Sequence, residues 1–216
     1  ALSFNGAYAS TTMAGIYGNG ATASSLYYEV PSGQSHFFGI ADATKITINS
    51  SGNLKAIGTI RVGDATPSTS GAGITFPATQ SASTDVNTLD DYEEGTWTPT
   101  IAGTSTAGTA GYSQRNARYT KIGRLVYVEL YLSWFSGTGT GALIITGLPF
   151  TTANANTFPS MDVGYADGLT FTGQLVSYVE GNTTQINLGG IATGAAFTAL
   201  AYDGAGQILV AGSYTV

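Results

Sequence analysis

The chain has 216 residues with 30 Gly, 13 Tyr and no Cys; 43% are hydrophobic and only 9% are Asp, Glu, Lys or Arg. An ordinary soluble domain carries about 25% charged residues, but the shortage here does not mark disorder, which combines low hydrophobicity with high net charge. A net charge of −6 with seven Lys and Arg argues against nucleic acid or an anionic membrane as partner, since phosphates are neutralised by clustered cations; the lack of Cys removes disulfides, thiolate chemistry and Cys-bound zinc.

Over residues 1–28 small residues and Gly surround single apolar positions such as Phe4, Tyr8 and Ile16, too sparse to bury a core. The chain starts at Ala1 without Met and without a basic-then-apolar leader, so a fragment or trimmed N-terminus lacking a Sec signal is expected. Residues 45–49 alternate with period two, residues 50–53 read as a turn, and residues 54–62 alternate again. This predicts two strands around a Gly/Asn turn. The second run sets Leu54, Ala56, Gly58, Ile60 and Val62 on one face and Lys55, Ile57, Thr59 and Arg61 on the other. That narrow stripe has too little neighbouring sequence to cover it. Burial against other chains is expected, with Leu54, Ala56, Ile60 and Val62 as the core of a shaft.

Residues 64–88 turn to Ser, Thr, Ala, Gly and Pro, the composition of a linker or extended arm. Its apolar island at 73–77 is expected to dock on a neighbouring surface and order the arm. Five of the thirteen acids then fall within ten residues, at Asp85, Asp90, Asp91, Glu93 and Glu94. The cluster reads either as a solvated acidic loop, or as a cation site or pairing surface for Arg115, Arg118, Lys121 and Arg124. The expected organisation is an arm and shaft at 1–63, a linker or docking arm at 64–96, and a β-sandwich at 97–216.

From Trp97 onward strand signals recur at 119–122, 125–134, 142–146, 162–165, 173–179, 184–188, 197–202 and 206–216, with Gly, Asn and Pro between them. Regular short strands without a helical period predict an antiparallel sandwich. In 125–134, Val126, Val128, Leu130, Leu132 and Trp134 form a uniformly apolar face that belongs in the core. Leu125, Tyr127, Glu129, Tyr131 and Ser133 should look outward or at a partner. The longest apolar runs, 125–128 and 142–145, fall far short of the ~20 residues of a membrane-spanning helix. No membrane insertion is expected.

The phrase NTLDDYEEGTWTP at 87–99, followed by RYTKIGRLV at 118–126 and ITGLPF at 145–150, resembles a module at the C-terminal end of bacteriophage tail fibre and tail spike proteins. GITFPATQ at 73–80 is similar to what precedes that module. The matches cover residues 70 to 150. The resemblance implies a homotrimeric virion protein, a distal tail fibre whose end domain contacts the host surface and whose other partners are phage tail proteins. Proteins bearing the module also include head fibres, baseplate parts and enzymatic spikes. Three chains wrapped together would bury the shaft stripe on a common axis and limit open strand edges. The expected fold is all-β: a homotrimeric fibre with an extended N-terminal arm and shaft and a C-terminal antiparallel β-sandwich, jelly-roll-like.

His36 is the single histidine. Three copies on a threefold axis would suit a transition metal, but a lone His between polar and aromatic residues also reads as a packed or exposed side chain; no cofactor is expected. A Ser-His-acid nucleophile would have to use His36, and no G-x-S-x-G elbow supports it. Glycoside hydrolysis needs two carboxyl groups roughly 5 to 10 Å apart; Glu129, Asp162, Asp167, Glu180 and Asp203 carry no signature spacing. No enzyme is expected.

No Lys or Arg follows Arg124, while aromatics and amides are spread among Thr and Gly. Aromatic faces stack on sugar rings, and amides or carboxylates bond their hydroxyls. Loops at 134–141, 165–170, 180–184 and 203–206 are the natural carriers. The candidate receptor-binding residues are Trp134, Phe135, Tyr165, Asp167, Asn182, Tyr202 and Asp203. The expected function is attachment to a bacterial cell-surface glycan or protein. The alternatives are a purely structural virion component (head fibre, decoration or baseplate part) and a polysaccharide depolymerase.

Overall fold

Alternating runs separated by Gly, Asn and Pro form strands, and among the described residues there is no helix. In this computed structural model residues 15–18, 26–30, 32–40, 43–67, 70–85, 87–154 and 156–216 are described. The chain divides into two compact units, Ala1–Thr75 and Phe76–Val216. The expected boundaries at 63 and 96 fall on either side of that division.

In the first unit Gly15–Gly18 (β1) and Leu26–Glu29 (β2) pair antiparallel. His36–Ile40 (β3), Ala43–Ile48 (β4) and Leu54–Ala56 (β5) form a three-stranded antiparallel sheet. The expected turn joins β4 to β5. Asn49 Oδ1 accepts from the backbone N–H of Ser51 at 3.0 Å and of Asn53 at 2.8 Å, and Gly52 takes φ 80°, a left-handed conformation open to a residue without Cβ. Thr59–Arg61 (β6) pairs in parallel with Gly73–Thr75 (β7), Ile60 opposite Ile74. The 73–77 island thus begins as a strand laid on its own chain.

Residues 54–62 are therefore not one strand. A bend at Ile57 and Gly58 gives Leu54 and Ala56 to one sheet and Ile60 to another, which breaks the expected stripe through Val62. The register builds a different apolar face instead. His36, Ile48 and Leu54 lie side by side, as do Phe38, Ile46 and Ala56, with Phe37, Thr47 and Lys55 on the opposite side. Among the described side chains of this unit Ala65 alone is buried, and Leu54 is 61% exposed.

The second unit holds Tyr92–Thr96 (β8), Thr100–Gly103 (β9), Gly111–Ile122 (β10), Leu125–Phe135 (β11), Leu143–Thr146 (β12), Ser160–Asp167 (β13), Gln174–Val179 (β14), Gln185–Ile191 (β15), Thr198–Ala199 (β16) and Gly206–Thr215 (β17). They form one antiparallel sheet in the order β8-β10-β11-β17-β13-β14-β15-β12-β9, with β16 beside β15. Only residues 97–99 separate β8 from β9, yet the two stand at opposite ends of that order. The sheet must curl until its ends approach. Side chains stitch the seam: Arg115 donates from Nε to Pro99 O at 2.6 Å and from Nη2 to Thr100 Oγ1 at 2.5 Å, and the Ile101 N–H donates to Tyr112 Oη at 3.0 Å.

The curl makes the unit sandwich-like. Val128, Leu130 and Leu132 of β11 share one core with Leu143, Ile145, Ile186 and Leu188. β11 keeps the expected alternation as far as Leu132, with Leu125, Tyr127 and Glu129 exposed; beyond it Ser133, expected outward, is buried between Leu132 and Trp134, its hydroxyl bonded to that of the bulge residue Ser113 at 2.8 Å. β10 is eight residues longer than its sequence signal, because Ser113 is an extra residue in the pairing with β11 and interrupts the period.

The three phrases that carry the resemblance meet in one place. β8 from the first pairs with β10 from the second, Gly95 beside Tyr119 and Glu93 beside Lys121. A Cβ at Gly95 would lie 2.6 Å from Tyr119 Cε1, so any side chain there would displace the aromatic ring. Phe150 of the third phrase stands edge-on to Tyr119 with centroids 5.3 Å apart, and its ring lies 5.5 Å from Lys121 Nζ. Asp91 and Lys121 are both buried and form an ion pair. Lys121 Nζ also donates to Gln80 Oε1 at 3.4 Å, while Gln80 Nε2 and the Ser83 N–H donate to Asp90 at 3.2 and 2.7 Å. The Ser83 N–H holds the Asp90 carboxyl below its ordinary value. Of the pairing expected between acidic cluster and downstream cations, Asp91–Lys121 is realised. Among the described residues no three His, Asp or Glu side chains gather as a metal-binding group.

Candidate functional site

The register of the curled sheet aligns outward side chains in rows. Thr96, Arg118, Glu129, Ala211 and Asp162 form one row; Asn116, Tyr131, Leu209 and Tyr165 form the next. On the other side of the first row lie Glu94, Thr120 and Tyr127. A concavity of about 780 Å³ opens over the first two rows and takes in Arg118, Glu129, Tyr131, Asp162 and Leu209. A second, of about 570 Å³, opens over Glu94, Thr120 and Tyr127. Both include Thr96, Arg118 and Glu129, so they join along the sheet.

One irregularity decides what this face carries. Strict alternation along 162–167 would put Asp162 on the opposite side of β13 from Tyr165 and Asp167. The register shifts between Val163 and Tyr165, leaving Gly164 as the extra residue of a bulge. The shift sets Tyr165 opposite Leu209 and Asp167 opposite Gln207, on the outward face with Asp162. Gly164 also keeps the floor of the concavity bare, since nothing lies within 4 Å of a Cβ built there.

The polar groups on this face fall into two kinds. Tyr131 Oη donates to Gln207 Oε1 at 2.8 Å and Asn116 Nδ2 donates to Gln114 Oε1 at 3.1 Å, which fixes both side chains. Arg115, also at the rim, is spent on Pro99 and Thr100 and packs over Tyr112 with its Cζ 4.5 Å from the ring centroid. The charged ends of Arg118, Glu129 and Asp162 have no hydrogen-bond or ion-pair partner among the described residues. They remain available to a ligand.

The sequence-predicted receptor residues are placed differently from one another. Trp134 is 3% exposed, its ring in the core and its Nε1–H donating to Asp203 O at 2.9 Å. It does not offer a face to a receptor. Asp203 Oδ2 accepts from the Thr170 N–H at 2.8 Å, and the Gly137 N–H donates to Gly204 O at 2.7 Å. Tyr202 is half-buried beside Gly137 and Gly139, where a Cβ would come within 2.5 and 2.4 Å of it. The loops at 134–141, 165–170 and 203–206 therefore do gather at one end of the unit, where Asp203 is spent on Thr170 and Tyr202 Oη is buried without a hydrogen-bond partner. Phe135, Tyr165 and Asp167 are exposed. Asn182 lies at the opposite end: its N–H donates to Thr152 O, and the neighbouring Ala153 N–H donates to Thr215 O, which is paired with the first residue of β11.

Asn116 and Arg118 were not among the predicted site residues, and Glu129 and Asp162 entered only as carboxylates without spacing. The signal that locates them is the outward alternation of β11, extended sideways by a register that sequence does not print. Of the shaft residues, Leu54, Ile60 and Val62 are exposed and Ala56 half-buried in the single chain. His36 is half-buried at the start of β3 on the apolar face. No family model, curated protein or solved structure matches the chain.

Proposed function

We propose that this chain is the distal part of a bacteriophage tail fibre, a homotrimer that attaches the virion to a bacterial surface glycan without catalysing a reaction. The observation that carries attachment is the concave outward face of the second unit. A hollow of about 780 Å³ has the size of a small-ligand site, and it combines aromatic surface with charged groups that have no internal partner. The resemblance over residues 70 to 150 supplies the virion context. Support for assembly comes from the first unit, whose three-stranded sheet presents Phe38, Ile46, Ile48 and Leu54 on one face, none of them buried by the described residues. Two further copies packed around one axis would remove that face from water.

Purified protein should adsorb to susceptible cells, compete with infection, and have the mass of a trimer by light scattering in native buffer. A monomeric mass sinks the trimer. Protein that adsorbs to no susceptible cell overturns attachment in favour of a structural virion role, and release of reducing sugar ends from capsule would make it a depolymerase.

A further inference from the structure

We infer that the outward face of β10, β11, β17 and β13 holds several consecutive units of a glycan chain that carries no acidic groups, being neutral or amine-bearing. This rests on the attachment reading and names its site and ligand chemistry.

Length is the first argument. The two concavities share Arg118 and Glu129 and so make one groove. From Tyr127 to Tyr131 it follows four residues of β11, roughly 14 Å at the rise of a strand. That exceeds a single sugar ring. Its floor is low because Ala211 and Gly164 stand where larger side chains would fill it. Tyr131, held by Gln207, offers a fixed ring for stacking at low entropic cost.

Charge is the second. Arg118 stands directly opposite Glu129 across the β10–β11 pair, and Asp162 lies two strands from Glu129, roughly 10 Å by strand spacing. Three carboxylates, Glu94, Glu129 and Asp162, line the groove against two guanidiniums, of which Arg115 is held by Pro99 and Thr100 and Arg118 is free. Vicinal hydroxyls or an ammonium would donate to the carboxylates, whereas an acidic sugar would bring like charge against the unmatched ones. The stretch 125–216 of a second copy is a poor occupant, since it holds no Lys or Arg to meet Glu129 and Asp162. At the loop end, where most of the sequence-predicted residues gather, Trp134 and Asp203 are bonded internally and Tyr202 Oη is buried, which leaves Asp167 as the one exposed charged group among them.

The test uses the full chain on an array of purified bacterial polysaccharides of neutral, amine-bearing and acidic types, with thermal melting to check each variant's fold. Binding should be confined to neutral or amine-bearing polymers and be competed better by tetrasaccharide fragments than by monosaccharides. Gly164→Trp, which fills the open floor at an ordinary φ, and Tyr131→Ala should each weaken it at least tenfold. Glu129→Gln with Asp162→Asn should admit acidic polymers, a gain that misfolding cannot imitate. A preference for acidic polymers, or full binding by both Gly164→Trp and Tyr131→Ala, overturns the groove; if the wild-type chain still adsorbs to cells, the attachment reading stands and its site lies elsewhere. Adsorption to cells with no polysaccharide bound on the array points to a protein receptor and also overturns it. A chain that adsorbs to no susceptible cell removes both readings.

Discussion

Phe76–Val216 and Ala1–Thr75 bury apolar surface in opposite ways. The second unit closes a long sheet on itself, so that Val128, Leu132, Leu143 and Ile186 are wholly removed from water within one chain. The first unit has short strands in separate sheets, and Phe37, Phe38, Leu54, Ile57 and Ile74 are at least half exposed. Each buried apolar side chain contributes about 1.5–3 kcal/mol, a gain that, among the described residues, the second unit collects almost alone. The stability of one unit should therefore be independent of protein concentration. That of the other should rise with it, as mass action requires of anything held together by association.

The most direct way to break this contrast is to separate the halves. A fragment of residues 76–216 is expected to melt cooperatively at a midpoint that does not move with concentration, whereas residues 1–75 alone are expected to give no transition at low micromolar concentration. Within the full chain, Leu54→Asp should abolish association measured by light scattering and leave the melting of 76–216 unchanged. Cooperative, concentration-independent folding of 1–75 would remove the contrast altogether.

A smaller effect tests how the second unit holds the segment that leads into it. Asp91 neutralises Lys121, and both are buried. Asp91→Ala leaves an unpaired buried ammonium, which costs about 3–5 kcal/mol in comparable pairs. The double change Asp91→Leu with Lys121→Met removes both charges and should restore most of that loss in urea denaturation. If the single and double variants are equally destabilised, the pair acts through packing and not through charge.

Sequence made the alternation of β11 plain because its inner face is uniformly apolar, and made the Asn49–Gly52 turn plain because turn chemistry is local. It hid β8 and β9, since Glu93, Glu94 and Gly95 give no strand pattern and their pairing is decided by Tyr119 and Lys121 more than twenty residues away. The groove was hidden for the same reason. Arg118, Glu129 and Asp162 are brought into one row by register between three different strand pairs, and the Gly164 bulge inverts the face on which Tyr165 falls. The stripe at 54–62 failed because period-two patterning cannot report the bend at Ile57 and Gly58 that sends its two halves into different sheets.

The smallest expected effect lies at the C-terminal strand and sharpens the contrast by pH. Tyr214 is buried among apolar side chains, with its Oη donating to Phe150 O at 3.1 Å and accepting from the Phe150 N–H at 3.3 Å. Burial pushes its pKa up from 10.0 to about 12, partly offset by the bond to the Phe150 backbone. The folded state thus holds the phenolic proton more tightly than the unfolded chain does. Its contribution is complete below pH 10 and is lost as pH rises from 10 towards 12, on the order of 2 kcal/mol in all. Tyr214→Phe should cost about 1 kcal/mol at pH 8 through the lost hydrogen bonds and flatten the decline above pH 10. Tyr119, raised by its own burial and by Glu93, leaves a residual slope that Tyr119→Phe should remove. Urea midpoints of the 76–216 fragment at pH 8, 10 and 11.5 measure both. A decline as steep in Tyr214→Phe as in the wild-type fragment would assign the alkaline loss to groups outside this core.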